Sequence, residues 1–424
     1  MSKRPTRRRY LAALGLVGAA GLAGCSDTAT DTPTDTPTET ATATDAPTAT
    51  AEPTETETPQ ETETAQEPET ATIDTSITGW PMYGANPEKT RSAPEETGPT
   101  DDASDLWSYQ TDSYVGTSPA VVDGVVYAGS GDDSVYALSA TDGTLQWRTE
   151  TDGPVESSPA VADGTVFVGS GDGNVYALDT ADGSELWRLE TNEAVVSSPT
   201  VVDGTVYVGG TDETLYALDA TDGTTVWTFE ADDAFLASPA VADGTVFVGN
   251  MDGNVYAVSA ADGSEEWRFD TGRYVFLAAA VVDGTVYVGA TNTSTGYLYA
   301  LSASNGTRQW SFRADSQYGP SVAVADGLVF IGRTHNIIYA LDADTGDEQW
   351  RYQQPDWLEA EMSVADGVVY VASADDSVHA LSADDGSRQW SFDTDDWVRA
   401  APAVVDGTVY VGSYDDHIYA LTDE

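Results

Sequence analysis

At 424 residues the chain has room for one large domain plus further segments, and 71 acidic residues against 17 basic ones set a formal charge of −54. Beyond Cys25 the balance is 12 basic to 71 acidic, a charge of −59, which repels DNA, RNA and anionic lipid and excludes a nucleic-acid-binding role. Self-repulsion on this scale strains a fold in dilute buffer, and molar salt screens it by shrinking the Debye length to about 3 Å.

Residues 1–25 read as an export segment outside the fold. Thr6-Arg7-Arg8-Arg9-Tyr10-Leu11 precedes an apolar run from Leu11 to Gly24, shorter than the about 20 residues a membrane-spanning helix needs. Arg7 and Arg8 resemble a twin-arginine signal, which routes proteins that have already folded. Leu22-Ala23-Gly24-Cys25 resembles a lipobox, and Cys25, the only cysteine, has no intramolecular disulfide partner. The expectation is lipidation at Cys25 and a place on the extracellular side of the cell membrane, held by the lipid anchor only. One lipid chain binds a membrane marginally, so stable anchoring implies two chains or a further contact.

Residues 26–79 are mostly Thr, Pro, Glu, Asp and Ala, with no aromatic residue. Such a stretch cannot bury enough apolar surface to fold. As a polyproline-like tether at about 3.1 Å per residue it reaches on the order of 150 Å. Abundant Asp with Lys only at Lys3 and Lys89 resembles the surface chemistry of extreme halophiles, of haloarchaeal type. Residues 80–105 form a lead-in of mixed composition.

From residue 106 to 424 the chain repeats, and the period decides the architecture. Asp-Gly recurs at Asp123, Asp163, Asp203, Asp243, Asp283, Asp326, Asp366 and Asp406, with steps of 40 apart from one of 43. Thirteen residues after each Asp, or sixteen in copy five, which has three extra residues within Thr291–Tyr297, stands a triplet such as Tyr136-Ala137-Leu138, and His379 replaces its aromatic residue in the seventh copy. Each copy reads as four short strands. In copy two these are Ser157–Ala162, Thr165–Gly169, Val175–Leu178 and Glu185–Leu189, with hairpins at Asp163-Gly164 and Asp182-Gly183. Forty residues of antiparallel strand make no core alone, so the copies must pack face to face in a ring.

Tryptophans recur at Trp107, Trp147, Trp187, Trp227, Trp267, Trp310, Trp350 and Trp390, each but the first 11 residues after a triplet. Trp107 has no triplet before it and Tyr419 no tryptophan after it, so Leu106–Thr111 is predicted to complete the last blade. The expected fold is all-β, an eight-bladed β-propeller of four-stranded antiparallel blades closed by an N-terminal strand. The motif Ala-x-Asp-x-x-Thr-Gly-x-x-x-Trp is complete at Ala340, Asp342, Thr345, Gly346 and Trp350. It resembles the tryptophan-docking repeat of the PQQ-like propellers, the family of quinoprotein dehydrogenases and of BamB lipoproteins. The resemblance covers 107–424.

The Asp-Gly hairpins lie at one end of the predicted ring and are nearly uniform. The copies diverge at the other end. Nine residues before Asp-Gly stand Tyr114, Pro154, Ala194, Ala234, Tyr274, Gln317, Trp357 and Trp397, with Glu156, Phe235, Phe276, Tyr318, Glu359, Glu361 and Arg399 nearby. Aromatics with a few charges on loops suit recognition. The candidate binding face is Tyr114, Glu156, Phe235, Tyr274, Phe276, Tyr318, Trp357, Glu359, Trp397 and Arg399. The other reading of these residues is a channel plug, or packing under Trp80–Pro94.

The resemblance implies that an active quinoprotein would carry a vicinal cysteine pair, calcium-binding carboxylate and amide groups and a catalytic Asp. One cysteine rules the pair out, and no nucleophile–base pattern takes its place. No catalytic residue, metal or cofactor is assigned, with PQQ and calcium kept as the alternative. Turns at Asp132-Asp133, Asp172 and Asp252 offer weak cation sites or simply turn. His335, His379 and His417 stand at different offsets, and His379 reads as structural. Two function classes remain: a monomeric, non-catalytic scaffold for envelope or surface proteins or a small ligand, and a PQQ-binding oxidoreductase subunit. Sequons at Asn292-Thr293-Ser294 and Asn305-Gly306-Thr307 fit an extracellular address.

Overall fold

A computed structural model describes residues 79–100, 102–292, 295–314, 318–333, 337–353 and 361–423. The signal, Arg7, Arg8, Cys25 and nearly all of the tether lie outside them. All eight Asp of the Asp-Gly pairs adopt φ between 43° and 51°, and the glycines that follow are also left-handed. This is the mirror-image turn whose twist matches that of paired strands. Eight antiparallel sheets result.

Blade two has strands Ala160–Ala162, Thr165–Gly169, Asn174–Asp179 and Glu185–Glu190, paired in chain order. Its innermost strand is shorter than the expected Ser157–Ala162. Pro159 has no N–H to give, and the Ser158 N–H is donated to the next blade, to Ser198 Oγ at 3.0 Å. In blade eight, Ala103–Gln110 pairs with His417–Asp423, from Ala103 opposite Asp423 to Gln110 opposite His417. Chain segments far apart in sequence thus close one sheet, as the tryptophan offset predicted.

The core lies between blades. Seven docking indoles donate to a carbonyl of the following blade, among them Trp107 to Ala140, Trp187 to Ala220 and Trp350 to Ala383, at 2.9, 2.9 and 2.7 Å. The eighth, Trp390, donates instead to Pro99 in the lead-in, at 2.8 Å. Seven of the rings, all but Trp390, lie over a turn glycine of the neighbour. A Cβ on Gly223, at φ +72°, would stand 2.6 Å from Trp187, so glycine is required there by both contact and backbone.

The lead-in is the part of the ring that periodicity did not show. Gly79–Trp80 pairs with Val121–Val122 as a fifth strand inside blade one. The chain then runs around the channel wall. The carbonyls of Pro81, Pro87, Glu88, Thr90, Arg91 and Thr97 accept the N–H groups of Val161, Val241, Val281, Val324, Val364 and Gly407, all at 2.8–2.9 Å. Innermost strands are sheet edges whose inward N–H groups need acceptors, and this strap pairs with them in six of the eight blades and bonds the hairpin of a seventh. Prolines 81, 87, 94 and 99, with left-handed Gly84, Ala85, Lys89 and Arg91, keep it turning. Trp80, Tyr83, Lys89 and Arg91 are buried. Among the described residues no helix is long and apolar enough to cross a membrane.

Candidate functional site

The two ends of the channel differ. In six of the blades the strap pairs at the residue two before Asp-Gly, and in blade eight it bonds Gly407 of the hairpin itself, so it lies in the half of the channel nearer the hairpins. The loops from outer strand to next inner strand converge on the other mouth. Five residues before each Asp-Gly these loops carry Ser118, Ser158, Ser198, Ser238, Ala278, Ser321, Glu361 and Ala401. The serines form a belt: the N–H groups of Ser118, Ser158 and Ser198 donate to the hydroxyls of Ser158, Ser198 and Ser238 at 2.9–3.0 Å, and Ala401 N–H donates to Ser118 Oγ at 2.8 Å.

Glu361 breaks the belt. Its carboxylate accepts from Tyr83 OH at 3.2 Å, from Ala401 N–H at 3.2 Å and from Arg91 Nη1 at 3.3 Å. Arg91 also lies over the Tyr83 ring, its guanidinium carbon 4.2 Å from the centroid. Lys89 Nζ donates to the Tyr83 carbonyl at 2.8 Å, and burial, with Arg91 close by, pushes its pKa well down. The one carboxylate in the serine column therefore holds the strap's cation, and strap and ring share a register.

Above this floor is a cavity of about 160 Å³, lined by Tyr83, Glu156, Ser158, Ser198, Ser238, Leu236, Phe276 and Glu361 among others. Its rim at the junction of blades eight and one is an aromatic cluster. Tyr114 stacks on Tyr414 with centroids 4.8 Å apart and planes at 21°, and Trp397 stands 6.4 Å from Tyr414. The Arg399 guanidinium lies 5.6 Å from the Tyr414 centroid. Tyr114 OH donates to Glu156 at 2.9 Å. Burial raises the Glu156 carboxyl above its ordinary range, against the pull of Tyr114 and Arg399. Trp397 is 47 % exposed, the one aromatic among the exposed large hydrophobics of the described residues.

Tyr114, Glu156, Trp397 and Arg399 thus meet at the mouth, and Phe276 lines the cavity. Tyr274 lies in blade five, its backbone paired both ways with Thr291 at 3.0 Å. Tyr318 enters a sheet opposite Arg333. Gln317, His335, Trp357 and Glu359 lie outside the described residues. Phe235 corrects the predicted face: it is fully buried, against Phe229 and Tyr256. It occupies the column of Val115, Val155, Val195, Val275 and Val398, all buried, a position aimed between blades. Tyr414 was missed because it sits in the loop between second and third strands. A tyrosine where most copies have Gly, Thr or Ala was the available signal.

The Asp turns act as latches. The hydroxyls of Tyr136, Tyr176, Tyr216 and Tyr256 donate to Asp132, Asp172, Asp212 and Asp252, each at 2.6 Å. His379 takes the tyrosine's place with Nε2 3.0 Å from Asp375. Among the described residues no group of three or more His, Cys, Asp or Glu is arranged to hold a metal ion.

A family profile, PQQ_2, described as outer membrane protein assembly factor BamB, matches residues 99–157, 134–268, 229–332, 252–360 and 334–424. The chain belongs to this family. No curated protein matches it. Among solved structures, BamB from Moraxella catarrhalis superposes with a TM-score of 0.65 at 20% identity, covering 76% of this chain and 97% of that one. The computationally designed Ika8 protein gives 0.67 at 19%, over 74% and 98%. Quinohemoprotein alcohol dehydrogenase from Comamonas testosteroni gives 0.69 at 16%, over 81% and 80%. At these identities the likeness is one of fold.

The quinoprotein members raise the question of PQQ, a tricarboxylate. The described residues do not fit it. The cavity of about 160 Å³ is below the about 300 Å³ at which sites for drug-sized ligands begin. Its lining offers two carboxylates, Glu156 and Glu361, and no cationic side chain. The vicinal cysteine pair is absent from the sequence.

Proposed function

We propose that this BamB-family propeller is a non-catalytic scaffold, anchored by lipid at Cys25 on the outer side of the cell membrane, that presents its open channel mouth to an envelope protein. One observation carries the reading: the strap bonds along the inner edges of the blades, and the end away from the Asp-Gly hairpins bears the exposed Trp397 with Tyr114, Tyr414, Arg399 and Glu156. Aromatic and arginine anchors around a half-buried carboxylate are the chemistry of interface hot spots. The charge of −54 favours a partner surface of positive potential and a high-salt setting.

Proximity labelling on intact cells tests the reading, with Trp397→Ala as the control. A partner set unchanged by the substitution counts against the mouth. Cys25→Ser is expected to release the chain into the medium, and full membrane retention would remove the anchor. Titration with PQQ and Ca²⁺ addresses the enzyme alternative: tight stoichiometric binding with dye-linked alcohol oxidation would replace the scaffold reading.

A further inference from the structure

We propose that Asn305 carries an N-linked glycan on the exported chain and that Asn292 does not. The proposal rests on the extracellular reading above. Turns between third and outer strands carry Asp142, Asp182, Asp222, Asp262 and Asp385, each followed two residues later by Ser or Thr. In all five, one carboxylate oxygen accepts the N–H of that hydroxyl residue at 2.9–3.1 Å. Asn305 occupies the same position in blade five. Its Oδ1 accepts Thr307 N–H at 3.0 Å and the Thr307 hydroxyl at 2.6 Å, as Asp222 does from Thr224.

The turn therefore needs a single oxygen. What changes in blade five is the second group, an NH₂ where five copies have a carboxylate oxygen. Among the described residues Asn305 Nδ2 has no hydrogen-bond partner, and the residue is exposed. The Thr307 hydroxyl on Oδ1 polarises the amide and fixes its orientation. Gly306, at φ +68°, makes the turn and satisfies the bar on proline in the sequon. The donor is a lipid-linked oligosaccharide phosphate. Nδ2 bonds to the anomeric carbon, the anomeric C–O bond breaks, the lipid phosphate leaves with the electron pair, and Nδ2 gives up one proton.

Asn292 is built differently. It is half-buried, and its Oδ1 accepts from Thr295 N–H and Oγ1 at 2.8 and 3.2 Å, three residues on instead of two. Ser294 of its sequon lies outside the described residues. Asn305 is at the hairpin end of the ring, so a glycan there leaves the Trp397 rim clear.

The test is peptide mass mapping of full-length chain recovered from the outside of intact host cells by surface biotinylation directed at carboxylates, since the one lysine of the propeller, Lys89, is buried. The Asn305 peptide should carry added sugar mass and the Asn292 peptide none. Asn305→Asp keeps Oδ1 and the turn, so it should melt as the parent does while losing the added mass. Thr307→Ala should lose the mass too. A surface-labelled chain with bare Asn305, or with sugar on Asn292 alone, overturns the proposal. A chain found only inside the cell with bare Asn305 overturns this proposal and the extracellular reading together.

Discussion

Between the blades, seven tryptophans repeat one contact, an indole over a neighbour's turn with its Nε1 on a carbonyl 2.7–2.9 Å away, and Trp390 makes the same hydrogen bond to Pro99 of the lead-in. Along the channel, the column that starts as Ser118, Ser158, Ser198 and Ser238 reaches Glu361 in blade seven and binds Arg91 of a segment outside the repeat. The girdle faces like neighbours at seven of its eight positions and stays uniform. The channel wall faces a strap with one direction and a different residue at every blade, so it cannot. Repetition marks where copies meet copies, and departures mark where they meet something else.

The largest expected effect breaks the girdle. A docking tryptophan buries about 150–250 Å², and Trp187→Ala should cost about 3–5 kcal/mol in chemical denaturation. A variant with unchanged stability would contradict the docking role. The channel side is sharpened by contrasting two positions of one column. Glu361→Ala strands the buried Arg91 charge and should cost about 3 kcal/mol, whereas Ser158→Ala loses a neutral hydrogen bond, about 1 kcal/mol. Equal losses would mean that the ion pair does not hold the strap.

Acidity should act on the latches next. At Asp172, burial favours the neutral acid, but the Tyr176 hydroxyl and the Asn174 groups outweigh it and hold the carboxyl below its ordinary range. At Asp375, burial is likewise outweighed by His379. A folded value below the unfolded one means that the contribution is complete above about pH 3.9 and lost as pH falls through the folded value. Stability should therefore drop below about pH 4, and the drop should be shallower in Asp172→Asn. Smallest of all, Trp397→Ala at the exposed rim should move stability by no more than about 0.5 kcal/mol, while removing the labelled partner.

Much of the fold was legible because an Asp-Gly turn and a docking tryptophan act through local backbone geometry and a fixed spacing. Blade number and the closing strand of Ala103–Gln110 follow from counting offsets. The face was legible in part. Tyr114, Glu156, Trp397 and Arg399 stood out by diverging from their columns, whereas Phe235 diverged in size alone and kept the inward direction of the valines it replaces.

The sequence by itself determined eight blades, their turns, their closure and the uniform girdle, since each is a periodic property of the chain. Tertiary structure alone decided the course of residues 79–100, the pairing of Glu361 with Arg91 and the meeting of Tyr114 with Tyr414. Those contacts join residues about 270 to 300 positions apart, without a period to announce them. They exist because closing the ring brings its inner edges and its first and last blades within hydrogen-bonding and stacking distance.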